Sequence, residues 1–330
     1  MTESTLEELL NADMERVEDL LHQSVTGSSQ LVDELTSHLS SAGGKRMRPM
    51  LALICAQLGS PEATASQAVI DAATAVELTH LATLYHDDVM DSAPQRRGVP
   101  AAQHQWGNNR AILAGDVLFA RASRLVAALG QRTIDYHART FERLCLGQLN
   151  ETFGPQNNED PVEFYIQVLA DKTGSLINTA AVFGAWHGGA ADAVAEAVGL
   201  YGERIGVAFQ LADDVIDLTS DGSVSGKTPG TDLVEGVVTL PILLLRERLS
   251  AGQLDADGQK LLADIDSDLT DPERLASVVA RLGASEVVEE TRRIAREWAD
   301  SAVAALEPLP DSTAKQALID LAQLMVDRMN

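Results

Sequence analysis

The sequence predicts an all-α protein, a single large helical bundle spanning residues 1–330. Apolar residues recur at three-to-four spacing through most of the chain. Ala, Leu and Glu dominate, while the Val-Ile-Thr alternation of strands is nearly absent. No low-complexity linker divides the chain, so it reads as one domain.

At the start, Ser4-Thr5-Leu6-Glu7 reads as a capping box, followed by Leu6, Leu9, Leu10, Met14, Val17 and Leu20 at helical spacing. Similar spacing predicts helices over 65–86, 110–128, 137–151, 164–184, 192–217, 238–248, 284–306 and 313–328. Breakers fall at GSPEA (59–63), GVPAAQ (98–103) and GPQNNEDP (154–161). The stretch TSDGSVSGKTPGTDLVEG (219–236) is too long for a simple helix–helix turn and reads as either a disordered insert or a lid.

An apolar fraction of 45% is ample for a buried core. The formal charge of −24 argues against nucleic acid and anionic lipid as general partners. Cys55 and Cys145 form no C-x-x-C pair and are expected to be reduced thiols. The acidic start and the lack of an apolar run near ~18 residues predict a soluble, cytoplasmic chain with no membrane insertion.

One acidic pattern occurs twice, in YHDDVMD (85–91) and QLADDVID (210–217). Asp87 and Asp91 are four residues apart and Asp88 and Asp91 three, which places carboxylates about one turn apart on a helix face. Asp213, Asp214 and Asp217 repeat the arrangement. Crowded carboxylates raise one another's pKa unless a cation sits between them, and hard oxygen donors at this density suit Mg²⁺. A solvated acidic face is the alternative. Against it, Leu81, Leu84, Val89, Ile205, Val207, Phe209 and Leu211 flank the clusters and predict burial, and buried carboxylates need partners.

The scarce cations sit beside glycines or aspartates. SAGGKRMRP carries Lys45, Arg46 and Arg48, Arg96 and Arg97 follow the first cluster, Lys172 lies in ADKTG and Lys227 in SGKTPG. They read as oxyanion clamps, the alternative for GGKRMRP being a surface basic patch. GSVSGKT (222–228) is not a P-loop, because three residues rather than four separate its glycine from the Gly-Lys pair and no strand precedes it. His80 lies two helical turns before Asp87 on the same face.

Taken together, GGKRMRP (43–49), HLATLYHDDVMD (80–91), RRG (96–98), GVAFQLADDVID (206–217), GKTPGTDL (226–233) and TLP (239–241) resemble the trans-polyprenyl diphosphate synthases, in family order. The resemblance implies an all-helical isoprenoid-synthase fold with a deep central cavity. It also implies an enzyme, usually homodimeric, that condenses isopentenyl diphosphate with an allylic diphosphate. Mg²⁺ held by the two aspartate clusters would bind the allylic diphosphate. Asp87, Asp91 and Asp213 carry over as direct ligands, with Asp217 completing the metal set and Asp88 and Asp214 in support. Arg96, Lys172, Thr173, Gln210 and Lys227 match positions that hold the allylic diphosphate, and Lys172 counts with the aspartates as catalytic. Lys45, Arg48, His80 and Arg97 match those that hold isopentenyl diphosphate. GKTPGTDL would be a lid over the phosphates. Family members often carry a lysine just before TLP, where this chain has Val237 and Val238.

Product length follows from the position five before the first aspartate, which in this family often stops the chain when aromatic. Here it is Ala82, about 7–8 Å along the helix from Asp87. Ala75, Leu78 and Thr79 beyond it are not aromatic either. The expectation is a hexaprenyl to decaprenyl product of the kind used as quinone tails. The rivals are a shorter-chain synthase, a class I terpene cyclase, which has no use for a second diphosphate site, and a non-catalytic partner subunit, which would be expected to lose one aspartate cluster.

Overall fold

Helices appear wherever the periodicity predicts them, in a computed structural model that describes residues 5–156, 159–219 and 229–329. Lys227 and residues 220–228 of the anticipated lid lie outside the described residues. The helices are α1 (Leu6–Val25), α2 (Gln30–Ser41), α3 (Met47–Ala56), α4 (Pro61–Thr64), α5 (Gln67–Met90), α6 (Ala102–Trp106), α7 (Asn108–Ala128), α8 (Gln131–Phe153), α9 (Pro161–Leu169), α10 (Ser175–His187) and α11 (Asp192–Thr219). They continue as α12 (Thr231–Glu235), α13 (Leu240–Ser250), α14 (Ala256–Ile265), α15 (Pro272–Gly283), α16 (Glu286–Ala305) and α17 (Thr313–Asp327). A two-strand hairpin, β1 (Gln95–Arg96) with β2 (Val99–Pro100), interrupts the helices just after the first aspartate cluster.

Two details differ from the sequence reading. The capping box at the start of α1 is formed by Thr5 and Glu8, whose amide and carboxylate are joined at 2.9 Å, one residue later than the pattern suggested. The helix expected over 164–184 is broken by a π-helical turn at Ala170–Gly174. Helix α3 is the apolar helix expected after SAGGKRMRP, whereas α2, α4, α6, α12, α14 and α15 were not anticipated. In α3, Leu51 to Ala56 are all buried, so the helix is apolar all round.

The chain forms two compact units. Unit 1 comprises Met1–Glu142, Leu176–Gly202 and Leu306–Leu318, and unit 2 comprises Arg143–Ser175, Glu203–Ala305 and Ile319–Asn330. At the centre of unit 1 lies α5, packed against α1, α3 and α7. Its buried residues run almost unbroken from Val69 to Ala82, which is why it shows little amphipathicity. Leu78, Leu81, Ala82 and Tyr85 interdigitate with Ala111, Ala114, Leu118 and Ala122 of α7. Truncating a fully buried leucine such as Leu118 to alanine costs about 2–5 kcal/mol. The Tyr85 hydroxyl donates to the carbonyl of Leu35 at 2.5 Å, which ties α5 to α2.

In unit 2, α13 packs on α9, α14 and α16. The C-terminal half of α11 buries Ile205, Val207, Ala208, Leu211, Ala212, Val215 and Leu218. Among the described residues no helix is long and apolar enough to cross a membrane. Cys55 is a buried and Cys145 an exposed free thiol, as their separation implied.

Candidate active site

In unit 1, α5 delivers the first aspartate cluster at its C-terminal end, with Asp91 as its C-cap. The three carboxylates have different surroundings. Asp88 is fully buried, and Arg96 Nε donates to its Oδ1 at 2.6 Å. Burial holds the Asp88 carboxyl above the usual carboxylate range even with Arg96 beside it. Its Oδ2 is buried with no hydrogen-bond partner. Asp87 is half-buried and Asp91 exposed. Gln103 Nε2 closes the helix end by donating to the carbonyls of Asp88 and Ala93, each at 2.8 Å.

One residue the sequence reading passed over organises the cations of this unit. Glu77, 2% exposed and three residues before His80, accepts from Arg46 Nη1 at 3.1 Å and lies 3.8 Å from Arg97 Nη2. Burial raises its pKa against the pull of Arg46, Arg48 and Arg97. Arg46 is fully committed to the scaffold, with its Nε on Glu18 at 2.6 Å and its Nη2 on the Ser40 carbonyl at 3.1 Å. Arg97 donates to the carbonyls of Leu39 (2.9 Å) and Gly43. The glycine before Lys45 permits this crowding: a Cβ on Gly44, at φ +148°, would sit 2.8 Å from Arg46 Nη1 and 2.9 Å from Arg97 Cζ.

Arg48 differs, because its Nε is buried without an acceptor. His80 is half-buried, and burial together with the charges of Arg48, Arg97, Arg96 and Arg46 holds its pKa well below the ordinary 6.5. The ring is therefore neutral at physiological pH. Lys45 is exposed. Ala82 is fully buried against α7.

In unit 2, α11 carries Gln210, Asp213, Asp214 and Asp217, and the π-helical turn carries Lys172 and Thr173. Extra-turn bulges of this kind often re-aim side chains at functional sites. The turn is fastened by Arg143, whose Nε donates to Asp171 at 2.7 Å and whose Nη1 donates to Glu203 at 2.8 Å. Gly147 of α8 makes room for it, since a Cβ there would lie 2.9 Å from the Lys172 amide nitrogen. Lys172 Nζ pairs with Glu151. Thr173 and Gln210 are half-buried.

The second aspartate cluster also divides its labour. Asp214, 6% exposed, accepts at Oδ2 from the Tyr165 hydroxyl at 2.8 Å and from the Leu240 amide at 3.3 Å. Burial holds its carboxyl well above the usual range. It ties α11 to Tyr165 of α9 and to the start of α13. Asp213 pairs with Arg328 at 2.9 Å, and the Arg328 guanidinium stands 5.0 Å from the Phe209 ring centroid. Asp217 accepts from the amides of Thr231 (3.3 Å) and Asp232 (3.4 Å) at the start of α12. Val237 and Val238, where a lysine is common, line a cavity of 630 Å³ with Tyr165, Val168 and Leu243.

Among the described residues no three His, Cys, Asp or Glu side chains converge into a ready metal cage. Mg²⁺ keeps several waters and is bound by one or two carboxylates plus substrate phosphates, and the aspartates of α5 and α11 are hard oxygen donors of that kind. The orphaned Asp88 oxygen beside Asp87 and Asp91 is a further mark of a site built for a cation.

The polyprenyl synthetase family profile matches residues 29–282. The chain belongs to the polyprenyl synthetase family. As a member it is a prenyltransferase with the all-α isoprenoid-synthase fold. It is 42% identical over 321 residues to the nonaprenyl diphosphate synthase of Mycobacterium tuberculosis, covering 97% of this chain and 93% of the relative. It is 32% identical over 324 residues to the octaprenyl diphosphate synthase of Escherichia coli, covering 98% of each. The crystal structure of geranylgeranyl pyrophosphate synthase from Corynebacterium glutamicum, complexed with calcium and isoprenyl diphosphate, superposes with a TM-score of 0.85. Its sequence identity is 41%, covering 97% of this chain and 96% of that one.

Proposed function

We propose that this polyprenyl synthetase adds isopentenyl diphosphate repeatedly, head to tail, to an allylic diphosphate and releases a long-chain all-trans polyprenyl diphosphate. The observation that carries the reading is the cationic cluster of unit 1. Arg48, with an unsatisfied Nε, faces a neutral His80 beside Lys45, in a unit that already holds an aspartate cluster. A terpene cyclase has one diphosphate to hold and no use for this second set of donors. Both aspartate clusters are intact, which speaks against a non-catalytic partner subunit.

In this reading Asp87 and Asp91 of α5 and Asp213 of α11, with Asp217 beside it, hold Mg²⁺ against the allylic diphosphate. When bound, the metal neutralises the leaving diphosphate. Arg96, Lys172, Thr173, Gln210 and Lys227 hold the same group, with Arg96 exchanging Asp88, and Lys172 exchanging Glu151, for phosphate oxygens. Lys45, Arg48, Arg97 and His80 hold isopentenyl diphosphate, and the neutral imidazole adds a donor without adding charge among the arginines. Once the allylic C–O bond ionises, the double bond of isopentenyl diphosphate attacks the cation, and a proton passes to the released diphosphate. No side-chain nucleophile is needed. Val237 and Val238 leave one phosphate contact out, which weakens allylic affinity rather than changing the reaction.

The long product is supported by Ala82 and by the names of the mycobacterial and E. coli relatives. A geranylgeranyl product is the second reading, favoured by the corynebacterial enzyme's name. The two units are read as one catalytic domain, since α8 and α11 each contribute residues to both. The chain would act as a cytoplasmic homodimer supplying quinone side chains. Chromatography of products from farnesyl diphosphate with excess isopentenyl diphosphate and Mg²⁺ tests the reaction and its product length. Chains beyond geranylgeranyl are expected. A stop at geranylgeranyl selects the shorter reading, product from farnesyl diphosphate alone selects the cyclase, and no product selects the partner subunit.

A further inference from the structure

Away from the aspartate clusters, unit 1 holds a cavity of 360 Å³ where the α1–α2 elbow meets α7. Its walls include Ser24, Ser28, Arg121, Arg124, Leu20 and Leu125. Arg121 and Arg124 are three apart on α7, so two like charges share one helix face. No carboxylate pairs with either at ion-pair distance among the described residues, on a chain with 49 acidic and 25 basic side chains. Arg121 donates only to hydroxyls, Ser28 Oγ at 2.9 Å and Thr36 Oγ1 at 3.3 Å. The nearby Asp33 carboxylate is occupied by the amides of Gly27 (3.1 Å) and Ser28 (2.9 Å). Burial and the neighbouring charge of Arg124 lower the Arg121 pKa, although Asp33 acts against them.

We propose that this elbow cavity is a second anion site, taking the phosphate or diphosphate group of a small molecule. Two guanidiniums present fork-shaped donors, and Ser24 and Ser28 add hydroxyls, a set matched to an anion with several acceptor oxygens. The cavity exceeds a bare phosphate, and Leu20 and Leu125 offer apolar contact to whatever carries the group. A bound dianion relieves the repulsion between the two arginines. The site lies outside the transfer machinery, so its fate is independent of the function proposed above.

Hydrogen exchange of the full chain in EDTA, with sodium phosphate against sodium chloride at matched ionic strength, reads the site directly. Protection across residues 20–28 and 121–125 is expected in the wild type. Arg124→Gln removes no hydrogen bond and should weaken phosphate binding at least tenfold by calorimetry, with kcat for prenyl transfer unchanged. Arg121→Gln should act alike. A parallel arm measures sedimentation with phosphatidic acid vesicles against phosphatidylcholine. Pelleting that Arg124→Gln abolishes assigns the phosphate to a lipid headgroup, and protection by free phosphate without pelleting assigns it to a soluble ligand. Wild type that shows neither, or an Arg124→Gln variant that binds as wild type does, overturns the proposal.

Discussion

Asp87 and Asp88 are adjacent in sequence but do different work. Asp88 is fully buried on Arg96, while Asp87 is half-buried and Asp91 exposed, and the proposed function makes these two the metal ligands. Asp87→Ala and Asp213→Ala are therefore expected to lower kcat on the order of 10²–10³-fold, with unchanged helical circular dichroism. Near-normal Mg²⁺-dependent turnover in either variant would remove these residues from the metal set. Glu77 is the countercharge of the cationic cluster, and Glu77→Ala leaves Arg46, Arg48 and Arg97 repelling one another in a buried space. A loss of about 3–5 kcal/mol is expected by urea denaturation. An unchanged midpoint would show that water, not Glu77, carries that charge.

At the scale of elements, α5 carries both the first aspartate cluster and Ala82. Ala82 is sealed against α7 in the apolar cluster, so Ala82→Phe must push neighbours aside, at about 1–3 kcal/mol, as well as shorten the path. Chromatography should show shorter chains from the variant than from wild type, and equal lengths would place the floor elsewhere. Helix α8 leaves Phe141 (38%), Leu146 (48%), Leu149 (49%) and Phe153 (72%) exposed along one side, more apolar surface than a lone helix face leaves to water. If that side joins two copies, Leu149→Glu should shift light-scattering mass from dimer to monomer. Wild type that already measures as a monomer defeats the dimer reading.

For the whole molecule, acid sensitivity follows from histidines kept neutral. His137 is buried, bonded to Thr79 Oγ1 at 2.9 Å, and burial lowers its pKa from 6.5. Between 6.5 and that lower value the unfolded chain binds a proton that the folded chain refuses. Stability therefore falls with pH by up to about 1.4 kcal/mol per unit from this group. His137→Gln should be less stable than wild type at pH 7 and lose less on going to pH 5.5, so the gap narrows. A gap that stays constant across that range would mean that His137 titrates normally in the folded state.

The sequence alone determined the all-α class, both aspartate clusters, the cations around them and the family, because helical period and short motifs are local properties that survive in one dimension. It placed the capping box one residue early and passed over α2, α14 and α15. It read Arg46 with Lys45 and Arg48 as oxyanion clamps and set Asp88 and Asp214 in support of the metal ligands. Tertiary structure separated them: Asp88, Asp214 and Arg46 are consumed by Arg96, Tyr165 and Glu18 with Glu77, while Arg48 keeps an unsatisfied donor. Which charge is spent on the scaffold and which is left for substrate depends on partners tens of residues away, such as Tyr165 for Asp214 or Glu18 for Arg46. Only folding brings those partners within hydrogen-bond reach.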